Sequence, residues 1–138
     1  MKASVSGMAL AGLLALAPRP VLAAGPFDGL WQGDSVTVHG RCEQHYRVAL
    51  SIRDGVVSGE MVATGERMTV ATTVDADGRM GPVFAYNGRT LVKTADGRLG
   101  GAEGRIRWTS QEPDYFEDRD VGDCAGVVTL RRVSDAPQ

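Results

Sequence analysis

Glycine, mostly preceded by aspartate or asparagine, recurs at a short and regular interval through the middle of this chain. Asp54-Gly55, Gly65, Asp77-Gly78, Asn87-Gly88 and Asp96-Gly97 stand nine to thirteen residues apart. Asn-Gly and Asp-Gly favour the tight hairpin turns in which both central residues need positive φ, because these side chains tolerate that region best. The segments between them are rich in valine, threonine and isoleucine and show no helical period. A chain that reverses this often is confined to short antiparallel strands. An all-β domain follows, with no helix expected beyond the first two dozen residues.

One hairpin can be checked for internal consistency. A two-residue turn at Asp54-Gly55 fixes which residues face one another across its strands. Counting outward pairs Ile52 with Val57, Leu50 with Gly59, Val48 with Met61 and Tyr46 with Ala63, all apolar or small. The other face pairs Arg53 with Val56, Ser51 with Ser58, Ala49 with Glu60 and Arg47 with Val62, a mixed and water-tolerant surface. Hydrophobic pattern and turn agree on one register.

Extending the same reading predicts eight strands, near residues 29–38, 45–53, 56–63, 67–75, 79–86, 89–94, 98–108 and 124–132. Eight antiparallel strands in an up-and-down meander can pair the first with the last, which removes both exposed edges. A single β-barrel domain over residues 25–138 is the expected fold, and a β-sandwich is the alternative that the same turn spacing allows. Gly59, Gly81, Gly100, Gly101 and Gly104, inside or beside predicted strands, suit the bends that a closing sheet requires.

Residues 1–24 have the order of a cleavable secretory signal. Lys2 supplies the positive start, and an apolar run from Val5 to Ala17 follows. That run is shorter than the roughly 20 residues of a membrane-crossing helix. Pro18, Arg19 and Pro20 interrupt it before the small residues that place cleavage after Ala23 or Ala24. The protein is therefore expected to be periplasmic or secreted, with no membrane insertion after cleavage. Cys42 and Cys124 are the only cysteines, and in an oxidising compartment such a pair is expected to form a disulfide. In a closed meander the end of the first strand and the start of the eighth share a rim, which is where these two cysteines fall.

The whole chain has a formal charge of −2, and loss of Lys2 and Arg19 makes it mildly more acidic. A balance of that sign gives no general attraction to phosphate backbones, so nucleic acid is not an expected partner. A monomer is expected. The meander breaks once, in the acidic segment at 110–123, which carries six carboxylates together with Tyr115 and Phe116. Connections this long in a compact domain are uncommon and are enriched in binding loops. The carboxylate spacing does not follow that of a calcium loop.

The first strand opens Phe27-Asp28-Gly29-Leu30-Trp31. A Gly-x-Trp opening on an eight-stranded barrel resembles the start of lipocalin and avidin-type proteins, the calycin-like group. The turn glycine followed by a strand glycine in Asp54-Gly55-Val56-Val57-Ser58-Gly59-Glu60 is similar to avidin-type hairpins. The resemblance implies an up-and-down barrel; this chain has few aromatics and lacks that group's ligand-binding residues, so the resemblance implies no ligand. Small exported inhibitors of bacterial metalloproteases look similar as well. Their cysteines lie close together near the first strands, unlike Cys42 and Cys124.

No catalytic or cofactor motif is present: there is no Gly-x-Ser-x-Gly elbow, no His-Glu-x-x-His and no phosphate loop ending in Gly-Lys. His39, Cys42 and His45 have a spacing that would suit a metal, but a disulfide at Cys42 would remove its thiolate, and no metal or other cofactor is expected. Trp31 reads as a plug for one barrel end or as a ligand platform. Trp108 shares a face with Ile106, opposite Arg105 and Arg107, which suits packing; an anionic ligand on the two arginines is the alternative. The functional expectation is a non-enzymatic binding protein whose barrel mouth or acidic loop takes a small apolar ligand or a protein partner. The candidate contact residues are Trp31, Tyr46, Trp108, Tyr115 and Phe116. A surface-acting interaction or inhibitor module with a filled core is the second reading, and a hydrolase using His39 or His45 as base is the third.

Overall fold

A computed structural model describes residues 25–88, 90–111 and 124–136. The expected signal, residues 1–24, and most of the acidic segment, including Tyr115 and Phe116, lie outside the described residues. The described chain forms eight strands: β1 (Gly29–His39), β2 (His45–Arg53), β3 (Val56–Ala63), β4 (Glu66–Thr73), β5 (Val83–Tyr86), β6 (Leu91–Leu99), β7 (Glu103–Gln111) and β8 (Ala125–Ser134). Each strand pairs antiparallel with the next, and β1 pairs with β8. The sheet is a closed barrel rather than a sandwich.

The β2–β3 hairpin has the register that its turn dictates. Ile52 faces Val57, Leu50 faces Gly59 and Val48 faces Met61, while Arg53 faces Val56 and Ala49 faces Glu60. Asp54 and Gly55 both hold positive φ, at 51° and 78°, which is the requirement that selects Asp-Gly here. The apolar partners point inward and are buried, and the polar ones point out. The same alternation fills the interior with Trp31, Phe84, Ile52, Met61, Ile106 and Leu130, all but inaccessible to solvent.

Three expectations on one side of the barrel need correction. The Asp96-Gly97 pair is not a turn: it lies within β6, where Gly97 faces Ile106 across the ladder. A Cβ on Gly97 would come within 2.9 Å of the Met80 Cβ, so the glycine there makes room for a neighbouring segment. The reversal falls later, at Gly100, whose N–H donates to the Glu103 carbonyl at 2.7 Å, and β7 accordingly starts at 103 rather than 98. The register between β6 and β7 shifts between Thr94 and Asp96, a bulge that absorbs the extra residue. β5 is also shorter than expected. Arg79 and Met80 make only isolated bridges, to Arg98 and Val74, before β5 begins at Val83.

β7 runs to Gln111 and β8 begins at Ala125, so Ser110 and Gln111 are strand rather than loop. The β1–β8 ladder carries two register shifts, between Leu30 and Trp31 and between Thr37 and His39. Cys42 and Cys124 form a disulfide with a Cα–Cα separation of 6.1 Å. It spans the rim where β1 ends and β8 begins, and so staples the closing ladder.

Candidate functional site

The two ends of the barrel are built differently. At one end the segment before β1 folds over the opening, because its backbone supplies hydrogen-bond acceptors to side chains rising from the strands. Trp31 Nε1 donates to the Phe27 carbonyl at 2.9 Å, and Arg132 Nη2 donates to the Pro26 carbonyl at 2.5 Å. The Arg132 guanidinium lies 5.0 Å from the centroid of the Trp31 ring, within cation–π range. Asp28 is buried, and its Oδ1 accepts the Asp54 N–H at 2.8 Å, tying this segment to the β2–β3 turn. Trp31 therefore plugs a sealed end.

The other end is the disulfide rim, and it keeps a pocket of about 100 Å³. Tyr46, Met68, Val92 and Trp108 form its apolar wall, and Glu66, Thr90, Ser110 and Arg41 give it a polar edge. Strand alternation aims Tyr46 and Trp108 inward, and each polar tip is held. The Tyr46 hydroxyl donates to Glu66 Oε2 at 2.9 Å, and Asn87 Nδ2 donates to the other carboxylate oxygen at 3.2 Å. Trp108 Nε1 donates to the buried Ser35 hydroxyl at 2.7 Å. Ser110 Oγ accepts the Cys124 N–H at 3.1 Å, and the Ser110 N–H donates to the Cys124 carbonyl at 2.8 Å. The polar tips of the wall are thus hydrogen-bonded within the barrel, and the Glu66 carboxylate sits at the edge of the opening, bonded to Tyr46 and Asn87.

Of the residues singled out from sequence, Tyr46 and Trp108 meet in this pocket together with the disulfide, and Trp31 is at the opposite end. Arg41, Glu66, Thr90 and Ser110 carried no sequence signal, because they come together only through barrel closure. The sole hint was position: Glu66 follows the Gly65 turn, and Arg41 precedes a cysteine.

The disulfide takes Cys42 out of the His39, Cys42, His45 constellation. Among the described residues, no group of three or more histidine, cysteine, aspartate or glutamate side chains comes together as a metal site. His39 and His45 are exposed, and neither lines the pocket. Two wider concavities lie on the outer wall. One, about 850 Å³, is lined by outward-facing residues including Asp34, Arg47, Glu60 and Arg131; the other, about 440 Å³, is lined by Asp96, Arg98, Arg105 and Arg107. Compared with protein-family models, with curated proteins and with solved structures, the chain matches none.

Proposed function

We propose that this chain is a non-enzymatic exported binding module that engages a protein partner through the disulfide rim of a filled barrel. The observation behind this reading is the volume of the interior. Pockets for drug-sized ligands measure roughly 300–1,000 Å³, and an apolar cavity that takes benzene is about 150 Å³. The pocket beside Tyr46 and Trp108 is about 100 Å³, room for a single partner side chain or a ligand of a few heavy atoms. That favours a surface-acting or inhibitor-like module over a carrier of apolar molecules.

Several features support the reading. The rim joins an apolar wall to a hydrogen-bonded carboxylate, the mix of anchor and polar edge typical of an interface centre. The segment 112–123, with Tyr115 and Phe116, connects to this same rim through Gln111 and Cys124. The disulfide accords with an oxidising compartment, and with the signal-like order of residues 1–24 it supports a periplasmic or secreted location. The Gly29-Leu30-Trp31 opening on a closed eight-stranded meander supports a calycin-like relationship. Exposure of both histidines outside the pocket disfavours a hydrolase.

Native mass spectrometry of the protein purified from its source compartment tests the proposal. The expected result is a protein partner that accompanies the wild type and is lost on Arg41→Glu, with circular dichroism unchanged. A small molecule co-purifying in the barrel, or a partner retained by the variant, would overturn it.

A further inference from the structure

Across the outer wall of β6 and β7 the structure places cations against one another. Arg79 bridges to Arg98, Arg98 faces Arg105 across the ladder, and Arg107 lies two residues along β7 on the same face, opposite Asp96. All four arginines are exposed. Arg67 on the β3–β4 wall differs in having a carboxylate diagonally across its ladder: its Nη1 donates to both Glu60 carboxylate oxygens at 2.8 and 2.9 Å. Among the described residues no ion pair reaches Arg98, Arg105 or Arg107, not even from Asp96, while Arg79 has the Asp75 carboxylate nearby.

Like charges placed directly opposite in a sheet are destabilising, so the Arg98–Arg105 pairing works against stability. The row also surrounds a space. Arg98, Arg105 and Arg107, with Asp96, line a concavity of about 440 Å³. Adjacent strands are about 4.8 Å apart and alternate residues along a strand about 6.8 Å apart, a grid on which several guanidinium groups can reach one compact anion.

We infer that this face is a binding site for a compact anion carrying two or more phosphate groups. Guanidinium presents paired donors that match phosphate oxygens bidentately. Asp96 would cancel much of the attraction for a single carboxylate, so the site selects an anion of higher charge. The concavity suits a compact ligand better than an extended chain. Such phosphates occur free or as lipid headgroups, and the chemistry recognised is the same. The site lies on the outer wall and is independent of the disulfide-rim pocket.

Titration calorimetry with tripolyphosphate at low ionic strength tests the site on the whole exported protein. The expected result is saturable one-to-one binding that weakens at least tenfold in Arg105→Gln/Arg107→Gln, because each substitution removes a charge-assisted hydrogen bond to phosphate. Asp96→Asn tightens binding, and Arg67→Gln and Arg41→Glu leave it unchanged. Melting temperatures of the arginine variants stay equal or rise, which separates lost binding from lost folding. Co-sedimentation with vesicles of phosphatidylcholine containing phosphatidylinositol bisphosphate, absent with phosphatidylcholine alone and lost in the double variant, assigns a lipid source; calorimetric binding without co-sedimentation assigns a free oligophosphate. Absence of binding in both assays, or binding indifferent to the double variant and to Asp96→Asn, would overturn the inference.

Discussion

Trp108 on β7 and Gly126 on β8 face each other directly across the ladder, and the indole occupies the space that a side chain on Gly126 would need. A Cβ there would stand 2.7 Å from Nε1 and closer still to Cε2 and Cζ2. The same nitrogen donates to buried Ser35 on β1. One tryptophan thus links β7, β8 and β1 at the floor of the rim pocket. Gly126→Ala is expected to lower the unfolding free energy by about 1–3 kcal/mol, the range of core overpacking. Urea denaturation measures it, and a cycle with Trp108→Leu should show the two costs to be non-additive.

The closing ladder has its own sensitive point. A Cβ on Gly33 of β1 would fall inside the contact radius of the Thr129 carbonyl oxygen on β8, against backbone that cannot swing away. Gly33→Val should therefore force β1 from β8 and cost more than about 3 kcal/mol, beyond the usual range of single substitutions. Hydrogen exchange should show lost protection on β1 and β8 before β3 and β4. Unchanged protection on β1 and β8 would mean that the barrel closes without this contact.

The disulfide links residues 82 apart, and chain entropy assigns a loop of that length about 4 kcal/mol. With a urea m-value of about 2 kcal/mol/M, Cys42→Ser/Cys124→Ser should move the midpoint down by about 2 M. Adding reductant to the wild type should reproduce the shift. A much smaller shift would mean that the β1–β8 ladder keeps the denatured ends together or stands without its staple.

Asp75 supplies a pH dependence of known sign. Its Oδ1 accepts the N–H of Arg79 at 3.0 Å and of Asp77 at 2.9 Å. The Arg79 hydrogen bond is the main reason that its carboxyl titrates below the ordinary value of 3.8. A group whose folded pKa is depressed stabilises above its unfolded pKa, and that contribution is lost as pH falls through the folded value. The β4–β5 turn should thus loosen only below about pH 4, which carbon-13 NMR of the Asp75 carboxyl can follow. Titration of that carboxyl above 3.8 would contradict the turn geometry.

Much of the barrel was legible in the sequence because its turns are local. The Asp54-Gly55 pair fixed one register with no reference to the rest of the chain, and alternation then assigned each side chain a face. Where the same Asp-Gly signal occurs at Asp96-Gly97 it misleads. There the glycine answers to Met80 on another segment, a requirement that no local window contains. Tyr46 and Trp108 could be named as candidates since aromatics on inward positions are visible in sequence. Glu66, Ser110 and Arg41 could not, because ordinary polar residues become a site only when distant strands bring them to one rim.

The chain's own residues determined the strand count, the face of each side chain and the pairing of the cysteines, since these depend on short-range turn chemistry, a period of two and the supply of thiols. Tertiary closure alone decided which end is sealed, that the interior is filled rather than hollow, and that Arg79, Arg98 and Arg105 form one row. Those outcomes depend on strand order, register shifts and packing volume, and these are set only when β1 meets β8.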